Sequence, residues 1–143
     1  MSIHLSLELM ADLTALEKLN DALDQLAQTQ RWSAESSFQV KLALEEVVVN
    51  IISYGADAGR LPRIHVELHQ VEAQLGIKVV DDGIAFDPLQ KDEPDLDAKL
   101  EERSIGGLGV YLVRQLTDTV SYLRDAGQNK LSITKTLQLI PTA

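Results

Sequence analysis

The 143-residue sequence contains no cysteine, which excludes a disulfide framework and a thiolate metal site. It has no apolar run near the roughly 18 residues of a membrane span and no basic, apolar leader at its N-terminus. We therefore expect a cytoplasmic chain without a membrane anchor. Basic residues are also scarce, with 13 Lys and Arg against 22 Asp and Glu, so a direct nucleic-acid partner is not expected.

The excess of acidic residues also constrains any phosphate-bearing ligand. The formal net charge is −9, so the chain repels a free phosphate at long range. A nucleotide site in such a chain would depend on a divalent cation and on local backbone N–H groups.

What the sequence does contain is the composition of an ordinary globular domain. Hydrophobic residues make up 45% of the chain and charged residues 24%. A chain of this length can bury roughly two thirds of its unfolded surface around one core. We therefore predict a single domain over residues 1–143.

Hydrophobic periodicity predicts the element order β-α-α-β-β-α-β-β. Apolar and polar residues alternate over Ile3–Leu9, and leucines then recur at helical spacing from the N-cap Asp12 to about Gln30. Ser33 begins a second helix, whose apolar stripe reaches Ile52. The remaining predicted elements are strands at Arg63–Val71 and Gln74–Asp81, a short helix at Gly109–Leu116, and strands at Thr119–Arg124 and Leu131–Leu139.

A polar stretch of about residues 88–105 contains two prolines and no clean periodicity, so we interpret it as a long loop or lid. Hairpins dominate the order of the strands around it. We therefore predict an α+β fold: a two-layer α/β sandwich with a mixed, mostly antiparallel sheet and about three helices on one face.

The second helix carries a candidate cation site. Glu46 and Asn50 are four residues apart, so they lie on one ridge at the flank of the apolar stripe. A carboxylate and a carboxamide both offer the oxygen ligands that a hard cation prefers. By itself, the same pair is more typical of the surface of an amphipathic helix.

Two further segments suit a nucleotide. Asp81 ends a strand and is followed by Gly83, so its carboxylate can point into a pocket and accept a hydrogen bond from a purine amino group. Gly106, Gly107 and Gly109 open a helix, where backbone N–H groups and the helix dipole favour a phosphate. Taken singly, an ordinary turn and a flexible connection have the same patterns.

The order of the three segments resembles that of the histidine-kinase-like ATPase superfamily, the Bergerat fold. Glu46-Val-Val-Val-Asn50 matches the E-x-x-x-N box of that family, Asp81-Asp82-Gly83 its D-x-G box, and Gly106-Gly107-Leu108-Gly109 the glycine-rich box after its lid. The resemblance covers nearly the whole chain. The small size and the run Asp-Gly-Ile-Ala-Phe-Asp-Pro over residues 82–88 are most similar to the anti-sigma-factor serine/threonine kinases.

The resemblance implies ATP and Mg²⁺ as cofactors and a role for each box. Asn50 would bind the Mg²⁺ that bridges the phosphates, and Glu46 would be the catalytic base on a serine hydroxyl of a partner protein or on water. Asp81 would accept a hydrogen bond from the adenine amino group, and Gly83 would let the backbone pass close to the base. The residues implied to meet the phosphates under the lid are Gly106, Gly107, Leu108 and Gly109.

The chain departs from the family pattern around the adenine pocket. Ala85 stands where the family has the second glycine of D-x-G-x-G, and Tyr54 stands where a histidine often follows the E-x-x-x-N box. The terminal Gly-Thr pair is replaced by Gly127-Gln128-Asn129, with Ser132 and Thr134 further on. We therefore expect the adenine pocket to be the part that differs most from the family.

Three functions remain open. The resemblance favours an ATP-binding anti-sigma factor and serine/threonine kinase that sequesters a sigma-factor-like partner and phosphorylates a STAS-type antagonist. The alternatives are an ATP-binding module that sequesters a partner without phosphoryl transfer, and an interaction domain that has lost nucleotide binding. Intact Glu46 and Asn50 favour the first function over the last. Homodimers are common in this family.

Other site motifs are excluded. His65 and His69 would stand roughly 13 Å apart on one strand, too far to share a metal ion. The chain contains no G-x-x-x-x-G-K-[ST] segment, so it has no P-loop. We interpret Trp32 and Phe38 as core or helix-packing residues and not as a platform for a ligand.

Overall fold

A computed structural model of the chain describes residues 2–90 and 107–141, which form one antiparallel sheet covered on one face by helices. The predicted α+β class and element order are confirmed. The elements in chain order are β1 (Ser2–Met10), α1 (Thr14–Thr29), α2 (Ala34–Tyr54), β2 (Arg63–Val71), β3 (Gln74–Asp81), a 3-10 turn (Pro88–Gln90), α3 (Gly107–Leu116), β4 (Thr119–Asp125) and β5 (Gln128–Thr136).

The five described strands follow the order β1-β2-β3-β5-β4, and every neighbouring pair is antiparallel. The sheet is thus more regular than the mixed sheet that we predicted. The sheet contains two hairpins, β2-β3 and β4-β5. Strand β3 of the first pairs with strand β5 of the second, so β4 lies at one edge of the sheet. This pairing places Asp81 directly opposite Asn129.

Local capping fixes where the helices begin and end. The N-cap of α1 is Leu13 and not the predicted Asp12, whose carboxylate lies one residue earlier and accepts a hydrogen bond from the Thr14 backbone N–H at 2.9 Å. Ser33 is the predicted N-cap of α2, and its hydroxyl accepts from the Ser36 N–H at 3.1 Å. At the other end of α2, the Gly55 N–H donates to the carbonyl of Ile51.

The core lies between the sheet and the helices, because the buried apolar side chains of the alternating strands lie on the face toward the helix layer. Trp32 is buried in this core, and its indole N–H donates to the side-chain oxygen of Gln70 at 2.9 Å. The core assignment of Phe38 was wrong, since its side chain is 64% exposed. Phe38 precedes the buried Val40 by two residues, which is about 200° of helix rotation, so it lies on the solvent side of α2.

Two predicted boundaries were also wrong. β5 begins at Gln128 and not at Leu131, because Ala126 and Gly127 both have positive φ and form a two-residue hairpin turn. α3 begins at Gly107, two residues earlier than predicted. Residues 91–106 lie outside the described part of the chain, and with them most of the predicted lid and Gly106. Within the described residues, no helix is long and apolar enough to cross a membrane.

The burial pattern of α1 predicts the effect of truncating its leucines. Leu23 is fully buried, whereas Leu13 at the start of the helix is 86% exposed. Leu23→Ala should lower the free energy of unfolding by about 2–5 kcal/mol, because it leaves a cavity in the core. Leu13→Ala should change it by less than about 0.5 kcal/mol. Urea unfolding of both variants measures the difference, and equal effects would contradict the placement of α1.

Candidate functional site

A cavity lies between the helix layer and the end of the sheet that carries Asp81 and Asn129. Together with the open solvent space at its mouth, it has a volume of about 610 Å³. Most of its wall is apolar and comes from α2, α3, the loop after β3, and strands β3, β4 and β5. The predicted site residues Asn50 and Asp81 both line it. The structure therefore brings together residues that are far apart in the sequence.

Asn50 is a buried polar group in this wall. Its side chain is 8% exposed and forms no hydrogen bond with any described residue. Because Asn50 lines the cavity, its amide is open to a ligand or to water there. Asn50 is therefore well suited to hold a ligand in the cavity.

Glu46 lies one helical turn before Asn50 and is half-buried, outside the residues that line the cavity. Burial raises the pKa of its carboxyl, and repulsion from the neighbouring Glu45 adds to the increase. A carboxylate with a raised pKa is a stronger base than an ordinary glutamate. Glu46 thus has the properties of a general base at the edge of the site.

Asp81 presents one free carboxylate oxygen. Its Oδ1 accepts from the Gly83 N–H at 2.9 Å and from Asn129 Nδ2 at 3.0 Å, while no described residue donates to Oδ2. Burial raises the pKa of Asp81, which is 6% exposed, and the two hydrogen bonds partly oppose that increase. Oδ2 is therefore available to a donor in the cavity.

Gly83 is required by close packing between two backbone segments. A Cβ at this position would lie 2.6 Å from the carbonyl oxygen of Gly55 and 3.0 Å from Asp81 Oδ1. The next residue, Ile84, donates its N–H to the same Gly55 carbonyl at 3.2 Å. The D-x-G loop is thus held against the C-terminal end of α2, a reason for glycine that the sequence did not indicate.

Sequence reasoning missed Asn129 as a site residue. It is buried, lines the cavity, and joins Asp81 to the backbone of the loop after β3. No local signal could have indicated it, because Asn129 lies opposite Asp81 through the pairing of β5 with β3, two strands that are not consecutive in the sequence. The aromatic wall was missed as well: the rings of Tyr54 and Phe86 stack with centroids 5.3 Å apart.

The glycine-rich segment lies at the start of α3, which packs against α2. Gly107, Leu108 and Gly109 are the first three residues of the helix, and their N–H groups belong to the turn that has no intrahelical acceptor. Gly106 lies outside the described residues. This segment therefore supplies backbone donors of the kind that bind phosphates.

A mostly apolar cavity that presents a free carboxylate oxygen, a carboxamide and a glycine-rich helix start has the features of a nucleotide-binding protein. Residues 9–135 match the histidine kinase-like ATPase domain family. The chain belongs to this family.

Its relatives include protein kinases. The serine/threonine-protein kinase BtrW of Bordetella bronchiseptica is 34% identical over 112 residues, which are 78% of this chain and 79% of BtrW. The serine-protein kinase RsbW of Listeria innocua is 30% identical over 129 residues, 87% of this chain and 81% of RsbW.

A solved structure shows the same fold. The crystal structure of the RsbU and RsbW domains of a Mycobacterium tuberculosis protein matches with a TM-score of 0.68 and 15% identity, over 94% of this chain. The match spans 32% of that solved chain. Together, these comparisons confirm the predicted family, the fold and the class of function, an ATP-binding serine/threonine kinase. The roles of individual site residues stay predictions.

The close contact of Gly83 with Gly55 can be tested by substitution. Gly83→Ala should lower the free energy of unfolding by about 1–3 kcal/mol, because the methyl group meets a backbone carbonyl that cannot move freely. Gly76→Ala is the matched control, since its Cβ would meet only the His69 carbonyl oxygen, at 3.8 Å. That variant should be as stable as the wild type or slightly more stable. Thermal unfolding compares them, and a tolerated Gly83→Ala would contradict the described loop packing.

Proposed function

We propose that this chain is an ATP- and Mg²⁺-dependent kinase that transfers phosphate to a serine of a partner protein. The observation that carries the proposal is the meeting of Asn50 and Asp81 in one cavity. Each is buried there with hydrogen-bonding capacity that no described residue uses. One group suits a cation beside phosphates, and the other suits the amino group of a purine.

The adenine ring of ATP would lie in the apolar part of the cavity. Asp81 Oδ2 would accept a hydrogen bond from the exocyclic amino group of adenine, while Oδ1 stays bonded to Gly83 and Asn129. Gly83 keeps the loop against α2, so the backbone can pass close to the base. The stacked rings of Tyr54 and Phe86 form part of the wall beside it.

The residues present fit a magnesium ion held mainly by the nucleotide. Among the described residues, no group of three or more His, Asp and Glu side chains is arranged to hold a metal ion. Asn50 offers one carboxamide oxygen, and Mg²⁺ commonly takes its other ligands from phosphates and water. Bound there, the ion would neutralise phosphate charge, which a chain of net charge −9 needs.

Glu46 would act on the protein substrate. It would take the proton of the serine hydroxyl as the serine oxygen bonds to the γ-phosphorus and the bond to the β–γ bridging oxygen breaks, releasing ADP. The backbone donors of Gly106, Gly107, Leu108 and Gly109 would hold the phosphates in position. A half-buried base beside the metal site favours phosphoryl transfer over an ATP-binding module that only sequesters a partner.

The partners follow from the family resemblance and the relatives. We propose that the chain sequesters a sigma-factor-like protein and phosphorylates a STAS-type antagonist, as a homodimer in the cytoplasm. The kinase names of BtrW and RsbW support the transfer step. We further propose that residues 1–143 act as one domain, with residues of about 88–105 closing over the phosphates as a lid.

The metal role of Asn50 predicts a loss of nucleotide binding. With Mg²⁺ and ATP at 100 times its dissociation constant, the wild type should gain about 2.7 kcal/mol of stability. Asn50→Ala should lose most of this gain, and chelation of Mg²⁺ should reduce the wild type similarly. Asn20→Ala on α1, outside the cavity lining, is the control and should keep the gain. A thermal-shift assay measures all of them; an equal shift for Asn50→Ala would refute the metal role.

The base role of Glu46 predicts a loss of transfer without a loss of binding. Glu46→Gln should lower phosphoryl transfer from labelled ATP to co-purified partner proteins by about 10²–10⁴-fold, while the ATP-induced thermal shift remains. Glu45→Gln is the same change one residue earlier and should keep the transfer. If the wild type labels no protein, or if Glu46→Gln transfers at the full rate, the proposed base is wrong.

The raised pKa of Glu46 predicts a pH dependence of phosphoryl transfer. Glu46 accepts a proton only when ionised, and its pKa in the fold lies above the ordinary value of 4.5. The transfer rate should therefore fall on the acid side at a higher pH than an unperturbed glutamate would give. Glu45→Gln removes a like charge, so this acid limb should move to lower pH. If the acid side of the pH-rate profile is the same in Glu45→Gln as in the wild type, the ionising group is not Glu46.

A further inference from the structure

Asn129 is connected to Asp81 more closely than any other side chain of the site. The two residues are paired across β3 and β5, and both are buried on the face of the sheet that carries the helices. Asn129 Nδ2 donates to Asp81 Oδ1 at 3.0 Å and to the Ile84 carbonyl at 2.8 Å. One amide thus holds both the carboxylate and the loop that follows it.

The acceptor side of the same amide is also fully used. Asn129 Oδ1 accepts from the Phe86 N–H at 3.3 Å, the Tyr122 hydroxyl at 2.5 Å and Arg124 Nη1 at 3.2 Å. A carboxamide has two N–H donors and two lone pairs, so Asn129 has no group left for a ligand. Any effect of Asn129 on a bound base must therefore act through its neighbours.

We propose that Asn129 is a positioning residue for base selection: by engaging Oδ1 of Asp81, it leaves Oδ2 as the oxygen presented to the cavity, so that the site selects a purine with an amino group at C6. The inference rests on the proposed ATP site. A 6-oxo purine would place a carbonyl oxygen against Oδ2, and two acceptors cannot form a hydrogen bond.

Without Asn129, the orientation and ionisation of the Asp81 carboxylate are less well fixed. Only the Gly83 N–H would remain on Oδ1, and Arg124 would lose one of its two contacts, keeping the Gly83 carbonyl. A buried carboxyl with fewer donors takes up a proton more readily. Protonated Asp81 can donate to a carbonyl as well as accept from an amine, so the two kinds of purine would no longer be distinguished.

The test compares ATP with inosine triphosphate, in which a carbonyl replaces the amino group. Titration calorimetry with Mg²⁺ should show the wild type preferring ATP by about tenfold to hundredfold. Asn129→Leu should reduce the preference to about threefold or less. Asn129→Thr should retain much of it, because its hydroxyl can still donate to Asp81. Ser132→Ala, on the exposed face of the same strand, is the control and should match the wild type.

A pH series separates positioning from simple structural support. In the wild type, ATP binding should weaken as the pH falls and Asp81 is protonated. Asn129→Asp removes both donors and adds a like charge at neutral pH, so it should bind ATP weakly there. Its affinity should rise as the pH falls, because the protonated introduced carboxyl can donate to Asp81. A merely structural role would not reverse the sign of this dependence.

The outcomes distinguish this inference from the proposed function. If the wild type binds neither nucleotide, the ATP site itself is wrong. If it binds ATP, and Asp81→Asn abolishes binding, but folded Asn129 variants keep the full preference for ATP, the positioning role is overturned and the ATP site stands. Circular dichroism of each variant shows which are folded, and the pH dependence of Asn129→Asp keeps the test decisive if Asn129→Leu does not fold.

Discussion

A buried carboxylate needs hydrogen-bond donors, and Asp81 receives them from Gly83 and Asn129 at the end of the sheet. The bond from Asn129 crosses between β3 and β5, so it depends on the register of that strand pair. The same amide holds the loop after β3 through the Ile84 carbonyl and the Phe86 N–H. The floor of the cavity, the orientation of the carboxylate and the path of the loop therefore depend on one side chain.

The strand order makes this arrangement possible. Because β5 lies between β3 and β4, residues from both neighbours reach Asn129: Asp81 from one side, and Tyr122 and Arg124 from the other. The two-residue turn at Ala126-Gly127 sets the register of β4 against β5 without an extra residue. An insertion of one residue in that turn would shift the pairing and turn the side chains of one strand to the other face.

Helical spacing and strand alternation are local signals, so the fold class and the elements that carry Glu46, Asn50 and Asp81 could be predicted from the sequence. The start of β5 depends on the backbone angles at Ala126 and Gly127, and the place of Asn129 opposite Asp81 depends on the pairing of β5 with β3, so neither could be predicted locally. Phe38 was misassigned from its residue type, although its spacing from Val40 puts it on the solvent side of α2. Gly83 was correctly placed in the loop after β3. Its contact with Gly55 could not be predicted, because the two residues are 28 positions apart in the sequence.

The site also holds polar groups whose hydrogen-bonding capacity the described residues use only in part. Asn50 faces the cavity, burial raises the pKa of both Glu46 and Asp81, and Oδ2 of Asp81 lacks a donor from the described residues. The burial of these two carboxyl groups lowers the stability of the fold alone. A nucleotide and its cation would satisfy Asn50 and Asp81 together, so binding and folding are thermodynamically linked at this site. Removing the polar group of Asn50 or of Asp81 should thus lower the nucleotide affinity far more than it lowers the free energy of unfolding. This difference separates a binding site from a cluster with a purely structural role.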